Sequence, residues 1–110
     1  MSVEVKPWPQ VNDDLRALPT DTLRWQALRY IVQLCNEPFL GRPLREHPLL
    51  GNLSDCRKIF LDEHHDADPR WRIIYRLLPN TENPEIAEVI IIGPRDKGVV
   101  YTDAAERLGR

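Results

Sequence analysis

The sequence has little cysteine: Cys35 and Cys56 are the only two in 110 residues, and they form no CxxC pair. Two lone thiols read as small, reduced apolar residues, which argues against a disulfide framework or a thiolate metal site. Long apolar runs are missing too. The longest, Val89 to Ile92, has four residues, against the roughly 20 that a helix needs to span a bilayer. The N-terminal stretch MSVEVKPWPQ contains an acid and two prolines but no apolar signal core, so the expected location is the cytoplasm. Excess positive charge is also lacking, because 15 Lys and Arg face 17 Asp and Glu, for a formal net charge of -2. Overall charge therefore announces no polyanionic partner, and any anion site must be local. Neither an internal repeat nor a low-complexity segment is present. What is there, 42% hydrophobic residues, suffices for one core of moderate size, and residues 1–110 read as a single domain.

The ten prolines punctuate short elements instead of forming a linker. Val3 and Val5 alternate with polar residues ahead of Pro7 and Pro9, which predicts a short N-terminal strand. The stretch NDDLRAL, starting at Asn12, offers an N-cap residue, acids in the first turn and Leu15 with Leu18 at helical spacing, so a short helix is expected before Pro19. A longer helix is predicted in TDTLRWQALRYIVQLCNEP, capped by Thr20 or Asp21, with Leu23, Ala27, Tyr30, Ile31 and Leu34 on its core face. Trp25, Leu28, Val32 and Cys35 form a second stripe, wider than one helix face needs, to be covered by core packing or by a partner helix or peptide. FLGRPLREHPLLGNL, at 39–53, reads as a connection anchored by apolar side chains.

Three strands are then predicted at 56–61, 71–78 and 86–92, joined by short connections as an antiparallel meander. The last is apolar on both faces and is expected to be central or well covered. The tail YTDAAERLGR predicts a helix from Thr102, capped by Thr102 or Asp103 and stopped by Gly109. The expected class is α+β: an antiparallel sheet, made of the N-terminal strand and the meander, with two N-terminal helices on one face and a short C-terminal helix.

RWRIIYR, at 70–76, carries the sharpest question. In an extended chain Trp71, Ile73 and Tyr75 share a core face, while Arg70, Arg72, Ile74 and Arg76 share the other. A hairpin centred near His65 sets Lys58 opposite Arg72 and Ile59 opposite Trp71, leaving Lys58, Arg72 and Arg76 on the face away from the helices. Like charges directly opposite each other destabilise a sheet, so an anion or a nearby carboxylate is the natural counterpart; ordinary solvated strand residues are the plainer alternative. The intervening DEHHDADP holds four acids and two histidines, but its spacing matches no closed metal site and it reads as a solvated hairpin loop.

Three segments in order resemble the RelE/ParE superfamily of bacterial toxin-antitoxin toxins, and its RelE branch in particular. They are GNLSDCRKIFL at 51–61, RWRIIYR at 70–76 and IIIGPRDKGVVYTDAAERL at 90–108. The N-terminal half agrees only in its order of elements. The resemblance implies a toxin that cuts messenger RNA in the ribosomal decoding site, with an antitoxin protein, the ribosome and mRNA as partners and no cofactor or metal. In that chemistry the ribose 2′-hydroxyl attacks the adjacent phosphorus and the 5′-oxygen leaves, which calls for cations, a proton acceptor and a proton donor. Lys58, Arg72, Arg95 and Tyr101 fall on the family's catalytic positions. Arg72 and Arg95 suit phosphate stabilisation, Lys58 suits charge stabilisation or the base role, and Tyr101 suits stacking or proton transfer. Arg57, Arg70 and Arg76 are the accompanying RNA-binding candidates. Phe60 departs from the pattern, since the best-known members carry a second lysine there; so do Pro94, directly before Arg95, and a sequence pI near 5.9 in place of a strongly basic one. Two alternatives stand beside the nuclease: a non-enzymatic DNA gyrase inhibitor, as in the ParE branch, and a degenerate relative that only binds an antitoxin.

Overall fold

The computed structural model describes residues 2–44, 52–62 and 70–110. The chain runs through β1 (Glu4–Pro7), α1 (Val11–Ala17), α2 (Asp21–Gln33), β2 (Arg42–Pro43), β3 (Cys56–Leu61), β4 (Trp71–Leu78), β5 (Ile86–Pro94), a 3₁₀ turn (Asp96–Gly98) and α3 (Val99–Arg107). The five strands form one sheet in the order β1-β5-β4-β3-β2. The acidic hairpin loop lies outside the described residues from position 63 to 69, as does 45–51 of the preceding connection.

β3, β4 and β5 make the expected antiparallel meander, but β1 pairs with β5 in parallel, so the sheet is mixed. Strand direction is not written in a four-residue alternation; it follows from where the chain goes next. After β1 the chain passes through α1 and α2 and re-enters the sheet at the far edge as β2, a two-residue strand too short to leave a period in the sequence.

α1 and α2 cover one face. Val11, Leu18, Leu23, Ala27 and Leu34 pack there against Ile59, Leu61, Ile73, Tyr75, Leu77 and Val89. Thr20 caps α2, its Oγ1 accepting the Leu23 N–H at 3.2 Å, while Arg24 donates from Nε to the Leu15 carbonyl at 3.1 Å and so closes the end of α1. Asn12 is not a cap: the helix starts at Val11, which is buried and donates its N–H to the Trp8 carbonyl. Burial of Val11 decides the start, since α1 has no side-chain cap at Gln10.

The C-terminal helix lies on the opposite face of the sheet from α1 and α2. Val100, Ala104 and Ala105 pack with Leu53, Cys56, Ile74, Ile90 and Ile91. β5 can serve both cores because it shifts register beside Ile74 and Tyr75, pairing Ile74 with Ile91 but Tyr75 with Val89. The extra residue, Ile90, forms a bulge, and Ile90 and Ile91 both reach the α3 side while Val89 and Ile92 reach the other. α3 begins at Val99, three residues before the expected start, because Gly98 (φ 69°) turns the chain and burial of Val100 offsets the weak helix propensity of valine. Thr102 lies inside the helix, donating from Oγ1 to the Gly98 carbonyl, and Gly109 (φ 73°) ends it as expected. No helix among the described residues is long and apolar enough to cross a membrane.

Candidate functional site

Alternation along β3 and β4 sends Lys58, Phe60 and Arg72 to the α3 side of the sheet, where they lie beyond the helix's own footprint on β5 and β4. The register differs from the sequence expectation by two residues: Lys58 stands opposite Ile74, and Phe60, not Lys58, stands opposite Arg72. A two-residue slip keeps every side chain on its face, so the hydrophobic pattern cannot distinguish the two pairings. The consequence is chemical, because an aromatic ring separates the two cations.

That ring gathers charge around it. The Arg72 guanidinium carbon lies 4.2 Å from the Phe60 ring centroid, Lys58 Nζ 5.3 Å from it and the Arg42 guanidinium carbon 5.7 Å from it. Each falls within the roughly 6 Å over which a cation is attracted to a ring quadrupole. Arg72 is only 5% exposed, and its Nη1 donates to the Trp71 carbonyl at 3.0 Å. Arg42 comes from β2, opposite Lys58, and is exposed. The sequence reading did not single out Arg42, since nothing in a Gly-Arg-Pro triplet announces a strand.

Beside Arg72 on the other side stands Gly93 of β5. A Cβ at Gly93 would lie 3.2 Å from Val100 Cγ2, so its absence lets the first turn of α3 settle next to Arg72. Tyr101 follows in that turn, half-buried against the apolar cluster under the helix. At the end of β5 the Arg95 N–H donates to the Arg70 carbonyl at 2.9 Å, which brings these two exposed arginines side by side. Pro94 is tolerated as the last strand residue, paired with Trp71. A tight turn follows, closed by the Gly98 N–H on the Arg95 carbonyl at 2.8 Å, with Lys97 at φ 53°. Lys97 is exposed there, a further cation that sequence reasoning passed over.

Two further candidates make contacts within the fold. Arg57 points to the α2 side, where its Nη2 donates to the Gly41 carbonyl at 2.5 Å and its guanidinium stacks 5.5 Å from the Phe39 centroid. Arg76 shares the α3 side, but its Nε donates to Glu88 Oε1 at 2.9 Å on the neighbouring strand, in a half-buried ion pair. A carboxylate on the neighbouring strand thus serves Arg76.

The turn that delivers Arg42 is fastened from the core. The Tyr75 hydroxyl accepts the Gly41 N–H and donates to the Pro38 carbonyl, each at 2.8 Å, and burial pushes its phenol above the ordinary range. Gly41 has no alternative there, because a Cβ would lie 2.7 Å from both the Lys58 carbonyl oxygen and Tyr75 Cε1. Cys56, buried under α3 beside Asp55, has its thiol pushed up to about 12 by burial, so it is no nucleophile at neutral pH. Among the described residues no group of His, Cys, Asp and Glu is arranged to hold a metal ion. What the site offers is cationic donors around one aromatic ring, suited to an anion with several oxygens.

No protein-family model matches the chain, and no curated protein matches it. Solved structures do. A double arginine-to-alanine mutant of E. coli toxin RelE in the free state is 24% identical with a TM-score of 0.68, covering 98% of this chain and 99% of that one. The same mutant in complex with a peptide of antitoxin RelBc is 24% identical over 94% of this chain and 95% of that one, with a TM-score of 0.61. The toxin-antitoxin complex RelBE2 of Mycobacterium tuberculosis is 18% identical over 86% of this chain and 100% of that one, with a TM-score of 0.60. The chain has the fold of RelE.

Proposed function

We propose that this protein is the toxin of a toxin-antitoxin pair and acts as a ribosome-dependent messenger RNA endonuclease. The observation that carries the reading is the clustering of Lys58 and buried Arg72 around Phe60 on one sheet face of a RelE fold, with Arg95 at the neighbouring strand end and Tyr101 in the adjoining helical turn. In the proposed reaction the 2′-hydroxyl gives up its proton as its oxygen bonds to phosphorus, the bond to the 5′-oxygen breaks as that oxygen takes up a proton, and the products are a 2′,3′-cyclic phosphate and a 5′-hydroxyl end. Arg72 and Arg95 hold the phosphate oxygens as negative charge builds on them, worth on the order of a hundredfold or more in rate for each donor. Lys58 adds charge stabilisation or accepts the hydroxyl proton, and Tyr101 stacks on a base or assists proton transfer. Arg70 joins as an exposed RNA contact.

The partner reading rests on a separate surface. Trp25 is 70% and Val32 73% exposed on α2, with Leu28 and Phe39 also uncovered, an apolar stripe that supports binding of an antitoxin segment. The test of function is direct: purified protein is mixed with a defined message, with and without programmed ribosomes. Cleavage only on ribosomes, lost in Arg72→Ala, supports the proposal; an intact message in both mixtures removes it. DNA breakage without message cleavage would favour a gyrase poison.

A further inference from the structure

We infer, building on that nuclease reading, that Phe60 is a positioning residue for the Arg72 guanidinium and that Arg42 is an additional RNA-phosphate contact of the same site. Among the described residues four cation–ring contacts occur, and three of them converge on Phe60. Such contacts arise about once per 70–80 residues, so three on one ring mark a built cluster. The cross-strand order explains it: Phe60 faces Arg72 on β4, Lys58 is its same-face neighbour along β3, and Arg42 faces Lys58 from β2.

Stacking is an economical way to orient an arginine. A ring lying against the guanidinium restricts the orientations open to it, so Phe60, 4.2 Å away, holds the Arg72 head group in place. A lysine at position 60 would instead set like charges directly opposite on paired strands. Phe60 thus exchanges one cation for control over another.

Arg42 restores the lost cation from the edge strand. Its backbone is fixed on one side by Gly41, whose N–H and carbonyl are held by Tyr75 and Arg57, and on the other by the restricted φ of Pro43. Among the described residues its guanidinium makes no hydrogen bond or ion pair, and it is exposed, so it can meet a phosphate beside the one engaged by Arg72.

The experiment compares Phe60→Leu, Phe60→Tyr, Arg42→Ala and the wild type by two readouts. In ribosome-bound message cleavage, Phe60→Leu is expected to lower kcat by about tenfold with little change in KM, and Phe60→Tyr, which keeps the ring, to restore it. Arg42→Ala is expected to raise KM and to reduce the salt slope by about one. The second readout needs no cleavage: in arginine side-chain NMR, ring-current-shifted Nε–H resonances of Arg72 and Arg42 are expected in the wild type and Phe60→Tyr but lost in Phe60→Leu. Wild-type inactivity defeats the nuclease reading alone; anisotropy with a short single-stranded RNA then tests Arg42. The inference is overturned by unshifted arginine resonances in the wild type, by Phe60→Leu cleaving like the wild type, or by Arg42→Ala leaving both KM and RNA affinity unchanged.

Discussion

At Tyr75 a single hydroxyl joins the core to the cationic site: it bonds the Pro38 carbonyl and the Gly41 N–H at the base of the turn that presents Arg42. Tyr75→Phe leaves both backbone groups buried without that partner and is expected to cost about 1–3 kcal/mol of stability, measured by urea denaturation. Cys56 makes a contrasting prediction: its buried thiol, pushed up to about 12, should react with a thiol reagent at neutral pH only as fast as the protein unfolds. The basic face was legible in the sequence at this scale, because RWRIIYR alternates and Trp71, Ile73 and Tyr75 all joined the core under α1 and α2. The uses of the individual arginines were not. Arg57 and Arg76 are engaged by the Gly41 carbonyl and by Glu88, groups brought to them by the tertiary fold from 16 and 12 residues away.

Among the elements, α3 is held by two ion pairs from different parts of the chain. Arg107 grips Asp14 of α1 through Nη1 and Nη2 at 2.7 and 2.8 Å, while Asp14 also accepts the Ile92 N–H and Arg107 donates to the Ile90 carbonyl. β1 reaches only to Val89, so this pair satisfies the edge of β5 where the neighbouring strand has ended. Asp14→Ala strands a half-buried guanidinium and the Ile92 N–H, an expected loss of about 3 kcal/mol, and a double-mutant cycle with Arg107→Ala should reveal strong coupling. The second pair, Arg110 with Asp55, is more exposed and holds the Asp55 carboxyl below its ordinary 3.8 through the hydrogen bond from Arg110. A depressed carboxyl pKa stabilises the fold above the unfolded value, and that contribution is lost as pH falls below 3.8. Denaturation midpoints should therefore fall more steeply with acid in the wild type than in Asp55→Asn, by roughly 0.2–1 kcal/mol for such an exposed pair. The positions of β1, β3, β4 and β5 were readable from local composition and alternation, while β2 was too short to be; the parallel β1 pairing, the bulge at Ile90 and the two-residue register slip are relations between segments and leave no local trace.

Across the whole molecule, a net charge of -2 coexists with a cationic face. Among the described residues Asp13, Asp14, Asp21, Asp55, Glu4 and Glu88 are in ion pairs, and the pair of Arg76 with Glu88 lies on the same sheet face as the site. Long-range attraction to RNA should be weak and the local contacts decisive, so activity should depend on salt through the few phosphate contacts of Arg42, Lys58, Arg70, Arg72 and Arg95 more than through global charge. The central claim is that these groups cut messages during translation. Mapping of messenger 5′ ends after induced expression tests it most directly, with Arg72→Ala and Arg95→Ala as comparisons. New 5′-hydroxyl ends inside translated codons, absent from untranslated RNA and from both variants, are the predicted result. Growth arrest with no new ends in coding regions, or the same ends in both variants, would contradict it.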